Sequence, residues 1–225
     1  MMFESYLVKD KLARLGDSKF TEIVPDPHKE RIASPKRKYL NTDGLESKKP
    51  KNSDPVEMSN SLLGIKSAIN LAGVKEARKE ADRYDSGMTK KFQSMVRSLG
   101  GDVDRNTLKE IKDEAGDFLL KEKYKWNLPR PWQAAEILDI PFFERYKTDS
   151  SNSPSYPSGH SFQAHVLSEY LSLLFPQGRK HFKNLANSIA NSRILGGLHF
   201  KEDIEEGKRL AEELARKNGI NIKQE

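Results

Sequence analysis

From residue 59 onward the apolar residues of this chain recur at steps of three and four. Nowhere along its 225 residues do they alternate at a step of two. A chain patterned this way buries apolar surface by packing helix against helix. Leu62, Leu63, Ile65, Ile69 and Leu71 suit one buried helix. Ala77, Ala81, Tyr84, Met88, Phe92, Met95, Val96 and Leu99 form a stripe over residues 75–99, ended by Gly100-Gly101. Asp104 is placed to cap the next helix, whose stripe is Leu108, Ile111, Ala115, Phe118 and Leu119. Lys123 falls at or just beyond its end. Residues 124–157 read as a long connection rich in proline and aromatics, including Trp126, Trp132, Phe142, Phe143 and Tyr146, and loops of that length in a compact domain are usually functional. Further helices are expected over residues 158–174, 179–195 and 200–217. Gly196-Gly197 separates the last two, and Asn218-Gly219 closes the last. The fold expected is all-α, a bundle of about six to eight helices.

The N-terminal quarter is different. Residues 24–60 hold five of the eleven prolines, few apolar residues and no helical period. We expect an irregular N-terminal arm over residues 1–60, with a short amphipathic helix over 1–16, ahead of a helical domain at 61–225. Pro35-Lys36-Arg37-Lys38 has the composition of a nuclear-import or nucleic-acid patch. A solvated loop is the preferred reading, because the net charge of +6 is spread over 39 basic and 33 acidic residues. No nucleic-acid partner is expected. No stretch reaches the roughly 18 apolar residues of a membrane span. The first residues hold no apolar run of signal-peptide length, which points to the cytoplasm, with the periplasm as the alternative. With no cysteine, disulfides and thiolate chemistry are excluded.

Three short blocks concentrate cations and imidazoles. The first is Lys123, six residues, then Arg130-Pro131. The second is Pro157-Ser158-Gly159-His160. The third is Ser192-Arg193, then His199 after five residues and Asp203 after three more. The second block opens a helix, whose unpaired N–H groups and positive dipole end suit an anion. Ser158 can cap that helix, Gly159 permits close approach, and His160 then stands beside the same anion. Arg130 offers a planar fork to two oxygens and Lys123 a point charge. His199 and Asp203, four apart, are expected on one face of one helix, where the carboxylate fixes the imidazole tautomer and leaves the other nitrogen to attack. Arg193 falls near the apolar side marked by Leu185 and Ile189, where a cation needs an anionic partner.

Together the blocks resemble the three-part signature of the type 2 phosphatidic acid phosphatase (PAP2) superfamily, with eleven specified residues at fixed spacing between positions 123 and 203. That superfamily includes the class A acid phosphatases and the vanadium haloperoxidases. The 31 residues between His160 and Ser192, together with Tyr156, are most similar to the acid phosphatase branch. The resemblance implies a helical fold and a phosphomonoesterase working through a phosphohistidine on small phosphate esters. It implies His199 as nucleophile, Asp203 orienting it and His160 as general acid. Lys123, Arg130, Ser158, Gly159 and Arg193 would hold the phosphate oxygens, with no metal and no cofactor. One alternative is a haloperoxidase carrying vanadate in the same pocket, and a second is a non-catalytic anion-binding protein. Residues 124–156 are expected to shape the leaving-group pocket, where Trp126 or Trp132 would either stack on a ring or anchor the core.

Overall fold

The computed structural model describes residues 2–141, 146, 148 and 151–220. Ten helices are described: α1 (Met2–Gly16), α2 (Asp26–Ala33), α3 (Pro55–Ala72), α4 (Val74–Asp85), α5 (Met88–Ser98), α6 (Arg105–Trp126), α7 (Pro131–Ile137), α8 (Gly159–Leu174), α9 (Arg179–Leu195) and α10 (Lys201–Arg216). No strand occurs among the described residues. A lone antiparallel bridge joins Leu40 to Ile220.

α8 is the centre. Ten of its sixteen residues are buried, on every side of the helix, and it packs against α6, α9 and α10. Phe92 and Val96 of α5, Leu108, Ile111 and Leu119 of α6, Phe162 and Val166 of α8, Phe182 and Ile189 of α9, and Leu210 and Leu214 of α10 share one core. A second core gathers Met58, Leu62, Ile65 and Ile69 of α3 with Leu15, Ala134, Ala135, Tyr156 and Phe200. α10 approaches the start of α8 at Gly207. A Cβ there would stand 2.8 Å from the Ser158 carbonyl oxygen and 3.0 Å from the Phe162 nitrogen. Both are backbone atoms, so only glycine lets the two helices close to this distance.

The caps at Asp104 and Ser158 form as read. Asp104 accepts from the N–H groups of Asn106 and Thr107, and the Ser158 hydroxyl accepts from Ser161 N–H. Three details differ from the sequence reading. Leu63 and Leu71 face solvent, because α3 buries only the side carrying Met58, Leu62, Ile65 and Ile69. The stripe over residues 75–99 is two helices, broken where Gly87 takes a left-handed conformation with φ 71°. The long connection contains α7, for which Pro131 presets the first helical turn. Phe142 and Phe143 lie outside the described residues.

The N-terminal segment runs without helix over residues 34–50, whereas Asp26–Ala33 is helical. Glutamates on the bundle grip its backbone. Glu114 accepts from the N–H groups of Lys38, Tyr39 and Leu40. Glu122 accepts from Ser47 N–H, and Glu206 from Lys48 N–H. Hydrogen bonds to a charged acceptor contribute roughly 1.5–3 kcal/mol each. The basic run in the arm is ion-paired, Arg37 with nearby Asp43 and Lys38 with Glu110 of α6. No helix among the described residues is long and apolar enough to cross a membrane.

Candidate active site

Seven of the eight polar residues of the three blocks meet near the ends of α6, α7, α8, α9 and α10, whereas the Ser192 hydroxyl donates to the Ile189 carbonyl of its own helix. Lys123 lies in the last turn of α6 rather than beyond it, because the helix runs on to Trp126. Its buried ammonium donates to the carbonyls of Pro154 (2.6 Å) and Ser155 (3.1 Å), tying the helix to the chain that leads into α8. Arg130 is the residue before α7 and is buried. Its Nε donates to the Ser153 carbonyl at 2.9 Å, and its Nη1 to the Leu198 carbonyl at 2.8 Å and to His199 Nε2 at 3.0 Å.

His199 is not on the helix that carries Asp203. Phe200 is the N-cap of α10, so the imidazole precedes the helix and reaches in from the loop after Gly196-Gly197. The pairing still forms, with His199 Nδ1 3.1 Å from Asp203 Oδ2. The tautomer follows from the partners. A guanidinium only donates and a carboxylate only accepts, so Nδ1 carries the proton and Nε2 keeps its lone pair. Asp203 is itself held on all sides. Its Oδ2 also accepts from the Ser155 hydroxyl (2.5 Å) and Phe200 N–H (3.0 Å), and its Oδ1 from Asn52 Nδ2 (3.3 Å). Its backbone carbonyl accepts from Ser158 N–H at 2.9 Å, which locks the start of α8 onto α10.

Arg193, fully buried, has the anionic partner its position demanded: Nη2 lies 2.9 Å from Asp85 Oδ1, at the end of α4. The Asp85 carbonyl lies 3.2 Å from His160 Nε2, and its carboxylate accepts from the Thr148 hydroxyl. Asp85 therefore joins Arg193 to His160 across the site.

Crowded cations and burial set the protonation of this cluster. Burial, then Arg130, Lys123 and Arg193, push the His199 imidazole well below the usual histidine range. Burial and Arg193 push His160 down to about 3, against the pull of Asp85. Burial and neighbouring Arg130 hold Lys123 well below the usual lysine range, with Asp203 opposing. Burial raises the Asp203 carboxyl, against its hydrogen bonds from Ser155 and Phe200. Each shift disfavours further positive charge or a lone buried negative one, and a bound oxyanion would relieve the cationic excess.

Lys123, Gly159, His160 and His199 line a cleft of about 170 Å³. Its outer lining is His28, Arg31, Asn152 and Gln163, of which none was singled out in the sequence. Trp126 and Trp132 are absent from that lining. Trp126 instead stands edge-on to Tyr156 and donates to the Ser47 hydroxyl at 2.8 Å. A larger hollow, about 690 Å³, lies near Arg97, Asp102 and Phe175, away from these groups. Among the described residues no group of three or more His, Asp or Glu side chains is arranged to hold a metal ion.

Sequence reasoning missed Asp85, Asn52, His28 and Arg31. Asp85 left one trace: a carboxylate in the last turn of a helix opposes the helix dipole and calls for another reason to be there. Asn52 left none, since its contact with Asp203 spans 151 residues.

Residues 115–211, which include all eight block residues, match the family described as the PAP2 superfamily. No curated protein matches the chain. A solved structure described as the first bacterial vanadium-dependent iodoperoxidase is similar, with a TM-score of 0.58 and 19% identity. The alignment covers 88% of this chain and 55% of that one, so this chain spans about half the length of that relative. At that identity the likeness is one of helical fold.

Proposed function

We propose, from the match of residues 115–211 to the PAP2 superfamily, that this chain is a metal-independent phosphomonoesterase acting through a phosphohistidine on His199. The observation that carries this reading is the state of His199: Nδ1–H faces Asp203, and the Nε2 lone pair stands among cations at the cleft wall.

The ester phosphate takes the N–H groups of Arg130, Arg193, Lys123 and the start of α8. One of its oxygens replaces His199 Nε2 as the partner of Arg130 Nη1, which releases the lone pair. Nε2 attacks phosphorus, the bond to the leaving oxygen breaks, and Asp203 stabilises the imidazolium that forms. The anion's charge raises His160 from its depressed value, so it enters protonated and gives its proton to the leaving alkoxide. Now neutral, His160 takes a proton from water as that water attacks the phosphohistidine. Charge neutralisation by three cations serves the purpose that divalent ions serve elsewhere, and turnover should survive exhaustive chelation.

Rapid quench with a labelled phosphate ester, followed by peptide mapping, tests this reading. An acid-labile, base-stable adduct on His199 is expected. Label on His160 would reverse the two roles. Absence of any adduct, with inversion at a chiral phosphorus, would mean direct attack by water.

The fold likeness to an iodoperoxidase supports a second reading, in which vanadate occupies the same pocket. The residues fit that oxyanion: a histidine lone pair and three cations suit vanadate as they suit phosphate. When bound, vanadate would supply peroxide activation for halide oxidation. Adding vanadate separates the readings, since it should inhibit phosphate release under the first and switch on halide oxidation under the second.

A further inference from the structure

The mouth of the cleft carries chemistry that phosphate binding does not use. Its outer wall is α2, an eight-residue helix with no buried residue. So short a helix has little stability of its own, and this one has no apolar face to dock. Two polar contacts hold it on α6: His28 Nδ1 to the Tyr124 hydroxyl and Arg31 Nε to Asp117 Oδ1, both at 2.7 Å. The same two side chains line the cleft.

Arg31 is tethered from behind. Asp117 does not line the catalytic cleft; it lines a separate hollow beside Phe118 and Lys121. Only Nε is used by that tether. The two terminal amino groups of Arg31 donate to no atom among the described residues. Nη2 lies over Gly116, in the middle of α6. A Cβ at that glycine would stand 3.2 Å from Arg31 Nη2 and 2.9 Å from Gln163 Nε2. Glycine is a poor choice inside a helix, and here it clears a floor beside the Arg31 guanidinium and the Gln163 amide, whose Nε2 donates one N–H to the Lys112 carbonyl at 2.9 Å and keeps the other. No ring other than imidazole lines the cleft among the described residues, so nothing there would stack on a base. A guanidinium whose terminal amino groups face the cleft, with no carboxylate and no stacking ring in the described lining, suits an anion.

Building on the phosphomonoesterase reading, we propose that Arg31, with Gln163 beside it, forms a leaving-group subsite that selects small phosphate esters bearing a second anion on the leaving group. The reacting phosphate sits at His199, and the second anion, a carboxylate or another phosphate, reaches the fork of Arg31. α2 thereby becomes a specificity element in a region outside the 115–211 match.

Two esters that differ at one carbon test this. 3-Phosphoglycerate ends in a carboxylate where glycerol 3-phosphate ends in a neutral hydroxymethyl group. Binding of each to the His199→Ala protein is measured by titration calorimetry, so that no turnover intervenes. The carboxylate ester should bind about tenfold tighter, the scale of one charge-assisted fork contact. Adding Arg31→Gln should bring the two affinities within about twofold of each other. Arg31→Lys keeps the charge without the fork and should fall between. Equal affinities in the His199→Ala protein, or a preference that survives both Arg31 variants, would overturn the proposal. Turnover of the same esters by the parent is read separately. A binding preference without hydrolysis would sink the phosphatase reading and leave the subsite standing, whereas hydrolysis of both esters with equal affinity would do the reverse.

Discussion

The inner wall of the cleft and its mouth are built by opposite means. At the inner wall His199, Asp203, Arg130 and Arg193 are buried, and the groups that orient them come from α4, α8 and the chain on either side of α7. At the mouth α2 rests on α6 through two polar contacts and buries nothing. Burial fixes geometry and shifts charge states; surface contacts do neither strongly. The inner wall should therefore decide whether the reaction occurs, and the mouth which ester undergoes it.

The sharpest way to break this contrast is His199→Ala. It should lower turnover on the order of 10⁴-fold or more, equally for alkyl and aryl phosphates, because it removes the nucleophile itself. Steady-state assays on both ester classes decide it, and a substrate-dependent loss would move His199 out of that role. His160→Ala comes next. It should cost about 10²–10³-fold on an alkyl phosphate and far less on an activated aryl phosphate, whose anion leaves without a proton. Equal losses on both would mean that His160 positions the anion rather than protonating the leaving group.

Acid should next lower stability, chiefly through the buried histidines of the inner wall, although burial and Arg31 lower His28 at the mouth as well. His160 is depressed from 6.5 to about 3 in the folded chain, and His199 is lowered in the same direction. Below about 6.5 the unfolded chain binds more protons at these positions than the folded one does, so stability falls as pH drops through that range. Asp203, raised by burial, takes up its proton sooner in the folded chain and offsets part of the loss. Melting temperatures should drop between about pH 7 and 5, and less so with inorganic phosphate present. A melting temperature that holds level would show that the histidines are not kept neutral by burial. The smallest effect belongs to the mouth. Tyr124→Phe removes the partner of His28, a contact of roughly 0.5–1.5 kcal/mol, and should alter turnover only a few-fold. A loss comparable with that of His160→Ala would erase the distinction drawn between mouth and wall.

What the sequence revealed follows the same division. The central helices were legible because their apolar stripes face a core, and α9 begins and ends at the residues expected. The juxtaposition of Lys123, Arg130, Ser158, His160, Arg193, His199 and Asp203 was legible because three spacings carry it; their roles remain proposals. α2 was illegible because polar contacts made in the folded state hold it, and such contacts leave no period. Asp85 acts on His160 and Arg193, 75 and 108 positions away, and Asn52 on Asp203, 151 away, and nothing in their own neighbourhoods announces those partners. The expectation that His199 shares a helix with Asp203 failed by two residues, because Asp203 accepts from Phe200 N–H and α10 starts at Lys201, after the histidine.

The glycine contact between α8 and α10 bears on how this molecule breathes. Ser158 N–H is bonded to the Asp203 carbonyl, and Phe162 N–H to the Ser158 carbonyl, beneath Gly207. Neither amide can meet solvent unless the two helices part. Their exchange with deuterium should therefore report near-global opening, while the amides of α2 exchange through local detachment. His160 and Asp203 ride on these two helices, so the reacting geometry should persist through every fluctuation that admits a substrate or releases a product, and be lost only when the protein itself unfolds.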